Sequence, residues 1–131
     1  MKKFPLIVLL SIFIFFSCTD TKNEQPIATV LGKYFDGKIP LDSIRMADGL
    51  SVVSNQSKKK MRGYEIQSFE LVYLPKGKDA AIIRNEGNLF NEHSRMRLDS
   101  LQADDKIVIR DVRVRKGAAQ QHLNSISLVV K

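Results

Sequence analysis

Hydrophobic positions recur along this chain in three rhythms. The first is an uncharged, mostly apolar run, Phe4 to Phe16, placed behind Lys2 and Lys3. The second is alternation at a period of two, the mark of strands buried on one face. It is clearest from Tyr64 to Leu74, where Tyr64 and Ile66 share one face and Phe69, Leu71 and Tyr73 share the other. The phase changes at Gln67-Ser68, which predicts a bulge or a strand passing between two environments. Lys106 to Arg115 repeats the pattern, with Ile107 and Ile109 followed by Val112 and Val114, and slips at Arg110-Asp111. Shorter β-prone runs are Ile27 to Leu31, Leu50 to Val53, Ala80 to Ile83 and Leu123 to Val130. The third rhythm is helical and weak. It follows Phe90 and carries Met96, Leu98 and Leu101, with Asn91 as the N-cap.

Turn chemistry punctuates these runs. Asp36-Gly37 reads as a hairpin turn within Phe35 to Lys38, and Pro40 confines any strand beside it to an edge. Asp42 is placed to cap a brief helical turn through Ala47, closed by Gly49. Pro75-Lys76-Gly77-Lys78 is a strong turn that makes Ala80 to Ile83 a returning hairpin strand. Asn85 to Asn88 reads as another turn, Ala103-Asp104-Asp105 as the helix end, and Lys116 to Gln121 as a loop. Short strands with frequent turns over residues 27–131 predict an all-β sandwich with one or two short helices.

The apolar run has thirteen residues. A spanning helix needs about 20, so the run reads as a cleavable export leader covering residues 1–17. Phe15-Phe16-Ser17-Cys18 resembles a bacterial lipobox, with two bulky phenylalanines where smaller residues are usual. Cys18 is the only cysteine in the chain. It is the expected lipidation site and mature N-terminus, carrying acyl chains into the membrane. The alternative is a secretory leader cut elsewhere, which leaves Cys18 as a free thiol. Thr19, rather than Asp, after Cys18 favours the outer membrane by the rule of enteric bacteria. Residues 18–26 are polar and read as a tether. Removing the leader takes away two lysines and leaves 19 basic against 14 acidic residues, a net charge of +5. Behind an export signal this excess points to acidic proteins or anionic lipid head groups rather than nucleic acid.

From Gly32 onward the order of motifs resembles the C-terminal domain of GldM, a gliding-motility and type IX secretion component of Bacteroidota. The resemblance is carried by Gly37-Lys38-Ile39, the turn from Leu41 to Gly49-Leu50, Tyr64-x-Ile66-x-Ser68-Phe69 and Gly87-Asn88-x-Phe90. It continues through Leu98-x-x-Leu101 before Asp104-Asp105, Ile107-x-Ile109-x-Asp111-Val112 and Leu123-Asn124-Ser125-Ile126. The resemblance implies an immunoglobulin-like β-sandwich in the periplasm that makes protein–protein contacts. Full-length proteins of that family carry an inner-membrane helix and tandem domains, whereas this chain is expected to use the module alone on a lipid anchor.

No catalytic constellation is legible. His93 and His122 fall in different elements with no cysteine near, so neither a metal site nor a cofactor is expected. Ser94 beside His93 lacks an acid to orient the histidine. Asp104-Asp105 reads as a turn pair that satisfies backbone donors. The sharpest candidate surface is Lys58-Lys59-Lys60 with Arg62, four basic groups within five positions, and Arg110, Arg113 and Arg115 suggest a second stripe. The expected function is a non-catalytic, lipid-anchored binding or scaffold domain of the cell envelope, with a membrane contact through Cys18 and an envelope protein as partner. The alternative is a periplasmic inhibitor or a small-ligand- or glycan-binding lipoprotein, for which Tyr34, Phe35 and Phe90 are the aromatics to test.

Overall fold

A computed structural model describes residues 24–131. The expected leader, Cys18 and the tether as far as residue 23 lie outside the described residues. The elements are β1 (Pro26–Val30), β2 (Asp36–Ile39), α1 (Leu41–Met46), β3 (Leu50–Ser54), β4 (Tyr64–Leu74) and β5 (Ala81–Glu86). They continue with α2 (Glu92–Asp99), β6 (Lys106–Lys116), β7 (Ala119–His122) and β8 (Ile126–Val130).

The fold is an all-β sandwich of unequal sheets with two short helices. β1 and β3 form a two-stranded sheet. The larger sheet runs β2-β8-β6-β4-β5, with β7 also paired to β6. β2 runs parallel to β8, and the other pairs are antiparallel. One core joins the layers. Ala28, Val30, Leu50 and Val52 of the small sheet share it with Phe69, Leu71, Ile107, Ile109 and Leu128 of the large one. Ile44 of α1 and Leu98 of α2 close its ends. Phe69 sits at the centre with no exposed surface, and Phe90 meets its ring edge-on at 5.7 Å.

β4 has the predicted bounds, and β6 runs one residue beyond the expected end. The phase change in β4 is a bulge: its register against β6 shifts between Ile66 and Ser68 and again between Ser68 and Glu70. On β6 the slip is absorbed by Asp111, which adopts a left-handed backbone at φ 52°. The predicted cap of α2 is present, with Asn91 Oδ1 accepting from the Ser94 N–H at 2.8 Å.

Three local expectations are corrected. Asp36–Ile39 is a strand, because β8 supplies a partner edge and Lys131 N–H donates to the Ile39 carbonyl. Asn85 and Glu86 extend β5 rather than turning. Asn85 is fully buried, and its Oδ1 accepts from Asn91 N–H at 2.7 Å and from the Ser94 hydroxyl at 3.0 Å. The expected loop after Lys116 is a tight hairpin that returns as β7, whose residues are all exposed and therefore show no apolar alternation. In addition, α1 starts at Leu41 with Pro40 as its N-cap residue. Asp42 lies in its first turn and makes no capping bond.

The pair Asp104-Asp105 divides its labour. Asp105 is buried, and its carboxylate accepts from Lys76 N–H at 2.8 Å and Gln102 N–H at 2.9 Å. It thereby ties the β4–β5 turn to the end of α2. Asp105→Ala strands both donors and is expected to lower unfolding free energy by about 3 kcal/mol. Asp104 is exposed at φ 75°. Asp104→Gly relieves that conformation and should be neutral or stabilising by up to ~1 kcal/mol. Urea unfolding of the two variants checks the contrast, and equal losses would contradict this division.

Candidate functional site

The basic loop leaves β3 and folds back on it. The Ser54 hydroxyl accepts from Gln56 N–H at 3.2 Å and Ser57 N–H at 3.3 Å, while Ser54 N–H donates to the Lys59 carbonyl at 2.9 Å. Met61 N–H returns to the Val52 carbonyl, so the segment after the loop lines the edge of β3. Lys58 sits at the bend in a left-handed conformation, φ 60°. Its ammonium donates to the Asn55 carbonyl at 2.8 Å and lies 5.2 Å from the centre of the Phe35 ring. Lys58 is therefore spent largely on holding the loop. Lys59, Lys60 and Arg62 are exposed, enter no ion pair among the described residues, and line one shallow hollow with Ser54, Ser57, Met61 and a single carboxylate, Glu24. The structure thus brings three of the four predicted basic residues to one open surface.

The arginine stripe on β6 is a different case. The β4–β6 register sets Glu65 opposite Arg115 and Glu70 opposite Arg110. The resulting ion pairs measure 2.7 Å and 3.0 Å. Arg113 pairs with Asp111 at 3.3 Å, and Arg84 and His122 reach the same carboxylate. The hydrogen bond from Arg113 holds the Asp111 carboxyl below the usual carboxylate range. Partial burial opposes the shift, and the charges of Arg113, His122 and Arg84 reinforce it. Cross-strand pairs of this kind cancel the stripe as a free basic surface.

The remaining candidates are structural or isolated. Phe90 is core, so it is closed to a ligand, and Tyr34 and Phe35 pack partly against the same core. Ser94 is buried against Asn85. His93 and His122 lie on α2 and β7. No group of three His, Cys, Asp or Glu side chains among the described residues is arranged to hold a metal. Sequence reasoning missed one feature, a groove between α2 and the outer edge of β5, lined among others by Ile82, Arg84, His93, Met96 and Arg97. Ile82 and Met96 are 60% and 64% exposed, too much for ordinary packing residues of that size. An exposed Met in a helix and an exposed Ile in an edge strand were the available signals.

The folded domain, the basic loop and the groove all lie within residues 22–131, and that span matches the family described as GldM C-terminal domain. The chain belongs to this family. No curated protein gives a significant match. As a GldM C-terminal domain, the chain offers two surfaces unlike its self-neutralised sheet face. One is the open basic loop at Lys59, Lys60 and Arg62, and the other is the groove beside β5.

Proposed function

We propose that this protein is a non-catalytic binding module of the cell envelope. In this reading lipid on Cys18 fixes it to a membrane, facing the periplasm, and Lys59, Lys60 and Arg62 dock an acidic surface of an envelope protein. The observation that carries the reading is the family match, which spans the whole described domain. The geometry of the loop supports it further. A loop held by backbone and side-chain bonds around Ser54, Lys58 and Met61 presents its free charges without needing to order first.

Contacts of exposed charges are long-range and screened by salt, with a Debye length of about 8 Å at physiological ionic strength. Crosslinking in intact cells, followed by mass spectrometry, should capture an envelope protein. The variant Lys59→Glu/Lys60→Glu/Arg62→Glu should lower that capture at least ~10-fold. High salt should lower wild-type recovery from detergent extracts. All three positions are exposed, so folding should be unchanged. A partner captured equally by wild type and variant, or equally at low and high salt, refutes the docking role.

A further inference from the structure

β5 is an edge strand with a patterned set of free backbone groups. Gly87 N–H donates to the Gln67 carbonyl at 2.7 Å, in continuation of the β4–β5 register. Hydrogen-bonded pairs alternate in an antiparallel ladder. The bonded pairs are therefore Phe69 with Asn85, Leu71 with Ile83 and Tyr73 with Ala81. Ile82 and Arg84 point their N–H and C=O groups away from β4. The Arg84 carbonyl is already taken by the Asn91 side-chain amide at 2.9 Å. The N–H and C=O of Ile82 and the N–H of Arg84 have no partner among the described residues.

The edges of the smaller sheet, by contrast, are covered. Asn124 clamps β1 with both atoms of its amide, at 2.8 Å and 3.2 Å to Ala28 N–H and C=O. β3 is lined by Lys59 to Met61 and by Asn88. Open edges invite strand addition, and folds usually blunt them. The β5 edge is open and carries the groove.

That groove has a definite chemistry. Its apolar lining is Met96 from α2 with Ala81, Ile82 and Ile83 from β5, of which Met96 and Ile82 are the exposed large side chains. Its charged lining is basic, Arg84 and Arg97, with His93 beside them and no carboxylate. Arg84 is engaged with Glu86 and Asp111, whereas Arg97 is exposed and rests 5.7 Å over the Tyr73 ring, with no ion pair among the described residues. We infer that the β5 edge receives an extended peptide segment as an added strand, with apolar side chains at alternate positions and carboxylates between them. Main-chain bonds to Ile82 and Arg84 give affinity. The wall of α2 selects side chains, Met96 for an apolar one and Arg97 for a carboxylate. A second copy of this chain is a poor fit, because two such edges would face each other with the same basic wall. The β5 edge is thus a second surface, independent of the basic loop.

The test uses the full-length chain in detergent and a labelled, end-blocked synthetic peptide alternating valine and glutamate. Anisotropy should report saturable binding, and amide hydrogen exchange should slow at Ile82 and Arg84. Met96→Glu and Arg97→Glu should each weaken binding ~10-fold; both sites are exposed, so folding is spared. The peptide N-methylated on the amides that face β5 should not bind, nor should a valine–lysine peptide. Lys59→Glu/Lys60→Glu/Arg62→Glu should bind as wild type does, which separates this surface from the loop. The inference is overturned if the peptide fails to bind, if the α2 variants bind unchanged, or if protection appears elsewhere. It is likewise overturned if sedimentation shows a dimer whose Ile82 and Arg84 amides are already protected without peptide.

Discussion

Replacing Cys18 with serine should remove the acyl label from the chain and end its stable attachment to the membrane. Each buried methylene contributes about 0.8 kcal/mol, so one acyl chain binds only marginally while two or three hold against dilution and salt. No helix among the described residues is long and apolar enough to cross a membrane. The proposed anchor is the lipid on Cys18. The wild-type chain should stay in the membrane pellet through a high-salt wash, since screening does not weaken apolar insertion. A Cys18→Ser chain can also retain its leader, so attachment is read from a second variant with a secretory leader in place of residues 1–18. That swapped-leader chain should fractionate with soluble periplasmic proteins. Mass spectrometry of the N-terminal peptide checks the modification directly. An unmodified Cys18 in the wild type, or a swapped-leader chain that still pellets after the wash, removes the anchor from the proposed function.

Phe69→Ala should be the most damaging single truncation in the core, costing about 3–5 kcal/mol. Phe69 is fully buried on the bulged strand and meets Phe90 edge-on. Its ring is shared between the large sheet and the approach to α2, so its loss leaves a cavity that neither layer can close alone. With no disulfide possible within a chain that has a single cysteine, packing carries the stability. A loss of this size is a large fraction of the roughly 5–15 kcal/mol that typical domains possess. Phe69→Leu should cost less by retaining part of the volume. Urea unfolding followed by circular dichroism measures both, and a Phe69→Ala loss under ~1 kcal/mol would show that the site collapses around the cavity.

Much of the fold was legible because burial on one face leaves a local trace. The alternation of Phe69, Leu71 and Tyr73, and of Ile107, Ile109, Val112 and Val114, marks β4 and β6, and both slips in phase correspond to real irregularities. Asn91 announced α2 because an N-cap bonds a donor three residues away. Asp105 was readable as a satisfier of backbone donors, although its reach to Lys76 was not. Asp36–Ile39 failed as a reading because nothing local says that β8 will lie beside it in parallel. β7 failed because a strand with both faces wet has no hydrophobic period.

The surfaces divide in the same way. By itself the sequence determined the class of fold, the placement of its longest strands, the single cysteine behind an apolar leader, and a run of basic residues in a polar loop. Only the tertiary structure decided which of those charges are free. Arg110 and Arg115 lie 40 and 50 positions from Glu70 and Glu65, and only the β4–β6 register brings each pair into contact. The Lys58 ammonium is held back against its own loop, at the Asn55 carbonyl, by a bend that its neighbours' hydrogen bonds impose. The open edge of β5 likewise follows from its being last in the sheet, beside a helix that adds Met96 and Arg97. Periodicity records whether a residue faces the core. Its partner is set by strand order and register, which depend on contacts between segments far apart in the chain.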